Sequence, residues 1–199
     1  MSIDSTRAYA GLSDLPPLVA KALDAARDLG FDHSCAPEQG RLLSLLAAGQ
    51  SGRRIGETGT GCGVGLAWMV DAADPSTTFV SVERDAQRAA TAAGLFADHP
   101  NVQVIHGDWT DLRAHGPFDL LVLDGGGKGK SPGDTAVDPA DGWLRTGGTI
   151  VLDDFTPMGE PGARAVDDAR RHWLEEAGLR AAEVRLSPVL ATIVGVRAR

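Results

Sequence analysis

The chain has 199 residues, 43% of them hydrophobic and 23% charged, with a formal net charge of −8 and a pI near 5.0. That length suits one domain with a sizeable core, and the acidic balance argues against broad binding to a nucleic-acid backbone. No apolar run approaches the roughly 20 residues of a membrane helix, the N-terminus lacks a leader pattern, and two cysteines, Cys35 and Cys62, are too few for a disulfide framework. The expected setting is therefore reduced and cytoplasmic, with no membrane partner.

Residues 14–29 read as a helix. Asp14 is its expected cap, Pro16 and Pro17 suit its first turn, and Gly30 suits its end. A second helix is expected over 37–48, with Leu42, Leu43, Leu45 and Leu46 on its apolar side. These two form an N-terminal helical cap (1–50) on a single-domain core (51–199). From residue 53, strands and helices alternate: a strand over 53–56, a helix over 66–73, a strand over 77–83 and a helix over 85–98. A strand over 102–106, a short turn or helix around 109–114, strands over 118–124 and 148–153 and a helix over 163–177 come after these. The 118–124 run is almost continuously apolar, as inside a parallel sheet. The end differs, because 182–186 and 190–197 read as two strands joined at Ser187-Pro188 with no helix between. The pattern predicts an α/β fold: a mostly parallel sheet with an antiparallel hairpin at one edge.

Between the first strand and its helix lies Glu57-Thr58-Gly59-Thr60-Gly61-Cys62-Gly63-Val64-Gly65. Alternating glycines let a backbone turn sharply and lie close to a ligand. A Gly-rich turn between strand and helix forms a nucleotide-type binding corner. The dinucleotide pattern Gly-x-Gly-x-x-Gly would need a third glycine at Val64 or at Leu66, and neither register fits. An NAD-dependent oxidoreductase is disfavoured on this ground and by the closing hairpin.

Carboxylates recur at the strand ends: Glu57, Glu83, Asp108, Asp124, and Asp153 with Asp154. Ligands of open α/β sheets bind beyond those ends. Glu83, 26 positions after Glu57, lies near the spacing at which an acid meets a ribose diol. Neighbouring strands are about 4.8 Å apart, so acids at adjacent ends can converge. Two unit charges about 4 Å apart repel by roughly 4 kcal/mol at an effective dielectric of 20. Converged carboxylates therefore want a cation, and an all-oxygen set suits Mg²⁺ or Ca²⁺, with Mn²⁺ also compatible.

The acid-x-Gly-x-Gly-x-Gly run resembles the first motif of class I S-adenosylmethionine (SAM) dependent methyltransferases. The resemblance implies a Rossmann-like seven-stranded sheet with helices on both faces. It implies that Glu57 lies near the methionine end of SAM and that the Gly59, Gly61 and Gly63 backbone runs along it. It gives Glu83 the ribose, Asp108 the adenine amino group and Trp109 the adenine face, although Trp109 also reads as an aromatic packed under the loop. Glu38-Gln39-Gly40 before a leucine-rich helix, then LVLDGG (121–126) and GGTIVLDDF (147–155), resembles the catechol O-methyltransferase-like branch. That branch implies a divalent cation, Mg²⁺ foremost, on Asp124, Asp153 and Asp154, where the family has Asn at the Asp154 position. It also implies a lysine base after the fourth-strand acid. Lys128 is the candidate here, four residues beyond Asp124 and across three glycines, and His33 in the cap linker is a weaker one. The expected reaction moves a methyl group from SAM to a hydroxyl of a small, catechol-like molecule, in a protein for which a homodimer is the default state. A tRNA-modifying methyltransferase of the same fold and a non-catalytic SAM-binding protein remain alternatives.

Overall fold

The computed structural model describes residues 5–130, 134–159 and 168–198. Seven strands form one sheet: β1 (Arg54–Thr58), β2 (Thr78–Glu83), β3 (Val102–His106), β4 (Phe118–Leu123), β5 (Leu144–Phe155), β6 (Leu179–Arg185) and β7 (Ala191–Arg197). Their order is β3-β2-β1-β4-β5-β7-β6. The first five run parallel, and β7 pairs antiparallel with both β5 and β6. The expected closing hairpin is present, joined by hydrogen bonds from the Leu186 and Ser187 amides to the Leu190 carbonyl.

One face of the sheet is covered by α1 (Pro17–Asp28), α2 (Pro37–Ala48), α3 (Val64–Ala72) and α4 (Ala86–Leu95), around a core containing Ile55, Phe79, Leu120 and Val122. The opposite face buries Leu121, Leu123, Ile150 and Leu152 beneath Leu112, Trp143 and Trp173. Adjacent β4 residues thus enter opposite cores, so the strand is apolar throughout. Trp68, Trp143 and Trp173 are all core residues.

Several local expectations shift. α1 begins at Pro17 with Pro16 at its cap, and no side chain caps it, so Asp14 does not play that part. Asp14 stands two residues before the cap position, which Pro16 occupies. β5 starts at Leu144 rather than at 148 and runs to Phe155. Of the helix expected over 163–177, residues 163–167 lie outside the described residues. The remainder is one helical turn, α5 (Asp168–Arg171), continued by a wider turn from His172 to Glu176.

The N-terminal segment seals the cap. The Tyr9 hydroxyl accepts from Trp68 Nε1 at 3.0 Å and donates to the Cys35 carbonyl at 2.8 Å, joining chain start, linker and α3. Gly40 is required beneath it, because a Cβ there would lie 2.2 Å from Trp68 Nε1. Tyr9→Phe strands a buried donor and a buried acceptor together, at a penalty of about 1–3 kcal/mol. We expect urea denaturation of this variant to show a lower midpoint with an unchanged slope.

Candidate functional site

β1 pairs with β2 on one side and with β4 on the other, so the chain reverses its winding direction between β1 and β4. A crevice opens at such a reversal, beyond the carboxyl ends of the strands. Two glycine turns meet there. A Cβ on Gly59, which has φ +84°, would fall 2.5 Å from the Gly125 amide nitrogen, and one on Gly125 would fall 2.9 Å from Gly59. The Gly125 amide donates to the Thr58 carbonyl at 2.6 Å, and the Thr58 hydroxyl donates to the Gly126 carbonyl at 2.9 Å. These contacts pin the β1 and β4 loops together. Gly63, with φ +92°, then starts α3.

Three of the predicted acids meet at the neighbouring strand ends. Leu123 pairs with Leu152 across β4 and β5, so Asp124 and Asp153 come next in register. Consecutive strand residues point to opposite faces, which would send Asp154 away. The pairing of β5 with β7 shifts between Leu152 and Phe155, and Asp154 takes φ +64°. Aspartate is among the few side chains that tolerate that region. With this irregularity one oxygen from each of Asp124, Asp153 and Asp154 lies within 4.8 Å of the others. All-oxygen donors of this kind fit a hard divalent cation.

Lys128 reaches the same point. Its Nζ lies 2.7 Å from Asp153 Oδ1 and donates to the Asp124 carbonyl at 2.5 Å. Burial alone would lower the lysine's pKa, but Asp153, then Asp124, outweigh it and hold the ammonium above its usual range. Burial, then the Asp153 charge, pushes Asp124 well above the carboxylate range. Lys130 turns instead to the carbonyls of Asp153 and Asp154.

Glu57 is 2% exposed, and its Oε2 accepts from the Ser81 hydroxyl at 2.5 Å. Burial raises its pKa to about 8; the Ser81 bond opposes this, while Asp153 and Glu83 add to it. Glu83 faces the glycine turn, and its Oε2 accepts from the Gly61 amide at 2.8 Å. Its other oxygen accepts from Arg88 Nη2 at 2.8 Å, from Arg88 Nε at 3.2 Å and from the Asp85 amide at 2.9 Å. Arg88 also stacks on Phe31, 5.1 Å from the ring centre. Asp108 caps the Trp109–His115 turn, accepting from Thr110. Trp109 is half-buried, 5.8 Å from Trp143 and close over Gly126, where a Cβ would lie 2.1 Å from its ring.

A cavity joins the acid trio to the cap linker, lined on that side by His33, Ser34, Cys35 and Gln39. His33 is exposed at its rim. Cys35 and Cys62 are buried thiols, both pushed up by burial, Cys62 to about 11, so neither is an activated nucleophile. Gln39 is 2% exposed, and neither amide atom has a hydrogen-bond partner, which leaves one donor group and one acceptor beside the cavity. Sequence reasoning missed Gln39, Arg88 and Tyr9. Only the Glu-Gln-Gly run hinted at the first, and no pattern marks the other two.

A profile described as "Methyltransferase domain" matches residues 57–155, from the glycine turn through β5. A Mycobacterium sp. (strain JLS) protein named "Putative O-methyltransferase" is 32% identical over 186 residues, spanning 88% of this chain and 82% of that protein. A Mycolicibacterium smegmatis protein named in the same way is also 32% identical, over 87% of this chain and 84% of its own length. Among solved structures, the Streptomyces achromogenes O-methyltransferase TomG in complex with SAM shares the fold with a TM-score of 0.69. It is 21% identical and covers 98% of this chain and 96% of its own. The O-methyltransferase from Bacillus cereus in complex with SAH gives 0.72 at 19% identity, covering 96% of each chain. With the glycine turn, the sheet order and relatives of this coverage in agreement, the chain belongs to the class I SAM-dependent O-methyltransferases.

Proposed function

We propose that this methyltransferase acts on a hydroxyl of a small, catechol-like molecule, received at Asp124, Asp153, Asp154 and Lys128. The observation that carries the reading is the convergence of those three carboxylates on one cavity, with the buried Lys128 ammonium paired to Asp153. Two adjacent oxygens on the acceptor match a compact cluster of this kind. The cavity closes against the cap linker, which suits a small molecule rather than a folded nucleic acid.

SAM, the methyl donor, supplies an electrophilic carbon on a positively charged sulfur. In this reading Gly59, Gly61 and Gly63 line its length and Glu57 faces its cationic methionine end. Glu83 takes the ribose hydroxyls, and Asp108 with Trp109 borders the adenine. The acceptor oxygen attacks the methyl carbon opposite the sulfur. The carbon–oxygen bond forms as the carbon–sulfur bond breaks, the electron pair stays on sulfur, and the hydroxyl proton departs to water. The protein's task is to align the two molecules and to favour the ionised oxygen. A divalent cation, Mg²⁺ foremost, would be held by Asp124, Asp153 and Asp154 and would lower the pKa of the hydroxyl. Lys128 brings the chain's own positive charge beside those carboxylates. Its raised basicity suits it to hold the oxyanion rather than to remove the proton.

Mass spectrometry of purified protein incubated with SAM, Mg²⁺ and a panel of catechols beside their monohydroxy analogues tests this reading. Catechols should gain one methyl group, and their singly hydroxylated analogues should react at least tenfold more slowly. Tight SAM binding with no transfer to any diol would leave a binding protein and sink the substrate reading. Glu83→Ala should weaken SAM by tenfold or more, since two hydroxyls lose a charged acceptor worth about 1.5–3 kcal/mol; calorimetric titration reads this directly.

Glu57 makes cofactor binding pH-dependent. With a pKa of about 8 it is protonated at neutral pH in the free protein. A cationic ligand beside it favours the ionised form and lowers that pKa. Binding therefore releases a proton below about pH 8, and SAM affinity rises with pH up to about 8. Calorimetry in two buffers of different ionisation heat measures the release. Glu57→Gln should abolish it, and a wild-type protein that releases no proton would overturn this placement.

A further inference from the structure

Lys128 is buried against one of the three carboxylates that would hold a divalent cation. Its side chain is 10% exposed and that of Asp153 is 8% exposed, with the ammonium 2.7 Å from Asp153 Oδ1. Its backbone is tied down separately. Trp173 Nε1 donates to the Lys128 carbonyl at 2.8 Å, Lys128 bridges to Ala136, and the Val137 amide donates to the Gly127 carbonyl at 2.9 Å. The flanking Gly127 and Gly129 take φ +91° and +65°, which sets the turn that aims the side chain inward. The flexible four-carbon stem is thus the part free to move. Lys130 differs, because it donates to the carbonyls of Asp153 and Asp154 while its ammonium stands 4.3 Å from the Phe155 ring centre.

A cation on Asp124, Asp153 and Asp154 would draw on the same Asp153 carboxylate that Lys128 now pairs with. Two positive charges gathered on one buried carboxylate repel each other strongly. We propose that the Lys128 ammonium and a divalent cation compete for Asp153, so that the lysine is a tethered occupant of the metal position and metal entry requires its withdrawal. The inference rests on the metal reading above. A site blocked most of the time binds with its affinity reduced by the unblocked fraction.

Mn²⁺ titration of the full-length protein, followed by the electron paramagnetic resonance signal of free Mn²⁺, tests the proposal without SAM or acceptor. Lys128→Met keeps the length and removes the charge, and it should bind Mn²⁺ about tenfold more tightly than wild type. Lys128→Arg should bind no better than wild type. Lys130→Met removes the same charge from the carbonyl side and should change the affinity far less. An affinity unchanged or weakened in Lys128→Met overturns the competition and leaves the metal reading standing. Equal tightening in Lys130→Met also overturns it, because general charge would then be the cause. Absence of Mn²⁺ binding in every variant overturns both. If Lys128→Met fails to fold, nuclear magnetic resonance of the wild type carries the test. The buried Lys128 ammonium signal should be lost to exchange on addition of Mg²⁺, and a signal that persists at saturating metal refutes the competition.

Discussion

Negative charge crowded along one edge of the sheet is the constraint to which the rest of the molecule answers. Glu57, Glu83 and Asp153 are buried, and Asp124 is half-buried beside them. A buried carboxylate is tolerated when it is paired, hydrogen-bonded or protonated. The chain uses all three devices. Arg88 and backbone amides hold Glu83, Lys128 holds Asp153, and Glu57 and Asp124 are pushed toward their neutral forms. An edge arranged in this way is poised for positively charged ligands, which relieve the crowding as they enter.

The cap completes the crevice. Thr6 donates through its hydroxyl to the Phe31 carbonyl at 2.8 Å, and Tyr9 closes on Cys35 and Trp68. The linker from Phe31 to Ala36 is thereby held over the glycine turn. Phe31 approaches Gly61 so closely that a Cβ there would lie 3.0 Å from its ring. Arg88 sits between Phe31 and Glu83, so the crevice beside Glu83 is lined by a stacked guanidinium as well as by the acid.

Much of this was legible in the sequence. The Glu57–Gly65 run, the apolar β4 and the acids closing β2, β4 and β5 depend on local backbone geometry and on period-two burial, which adjacent residues encode. The closing hairpin was readable because no helical pattern separates its strands. Asp14 misled because an acid before a helix is a valid signal, yet the helix starts only at Pro17, two residues beyond the position Asp14 could cap. Gln39 reads as one more polar residue at the start of a helix. Its burial without a partner results from the cavity that the cap and sheet form together.

The sequence by itself determined the order of strands and helices, the glycine turn and the identity of the acids, because each is written in neighbouring residues. The tertiary structure alone decided that Asp154 joins Asp124 and Asp153, since that depends on where β5 shifts its pairing with a strand some forty residues later. It also decided that Lys128, rather than Lys130, reaches the carboxylates, because the turn that aims it is anchored by Trp173 from a distant helical segment. Contacts between remote parts of the chain set where a charge ends up, and local patterns carry no record of them.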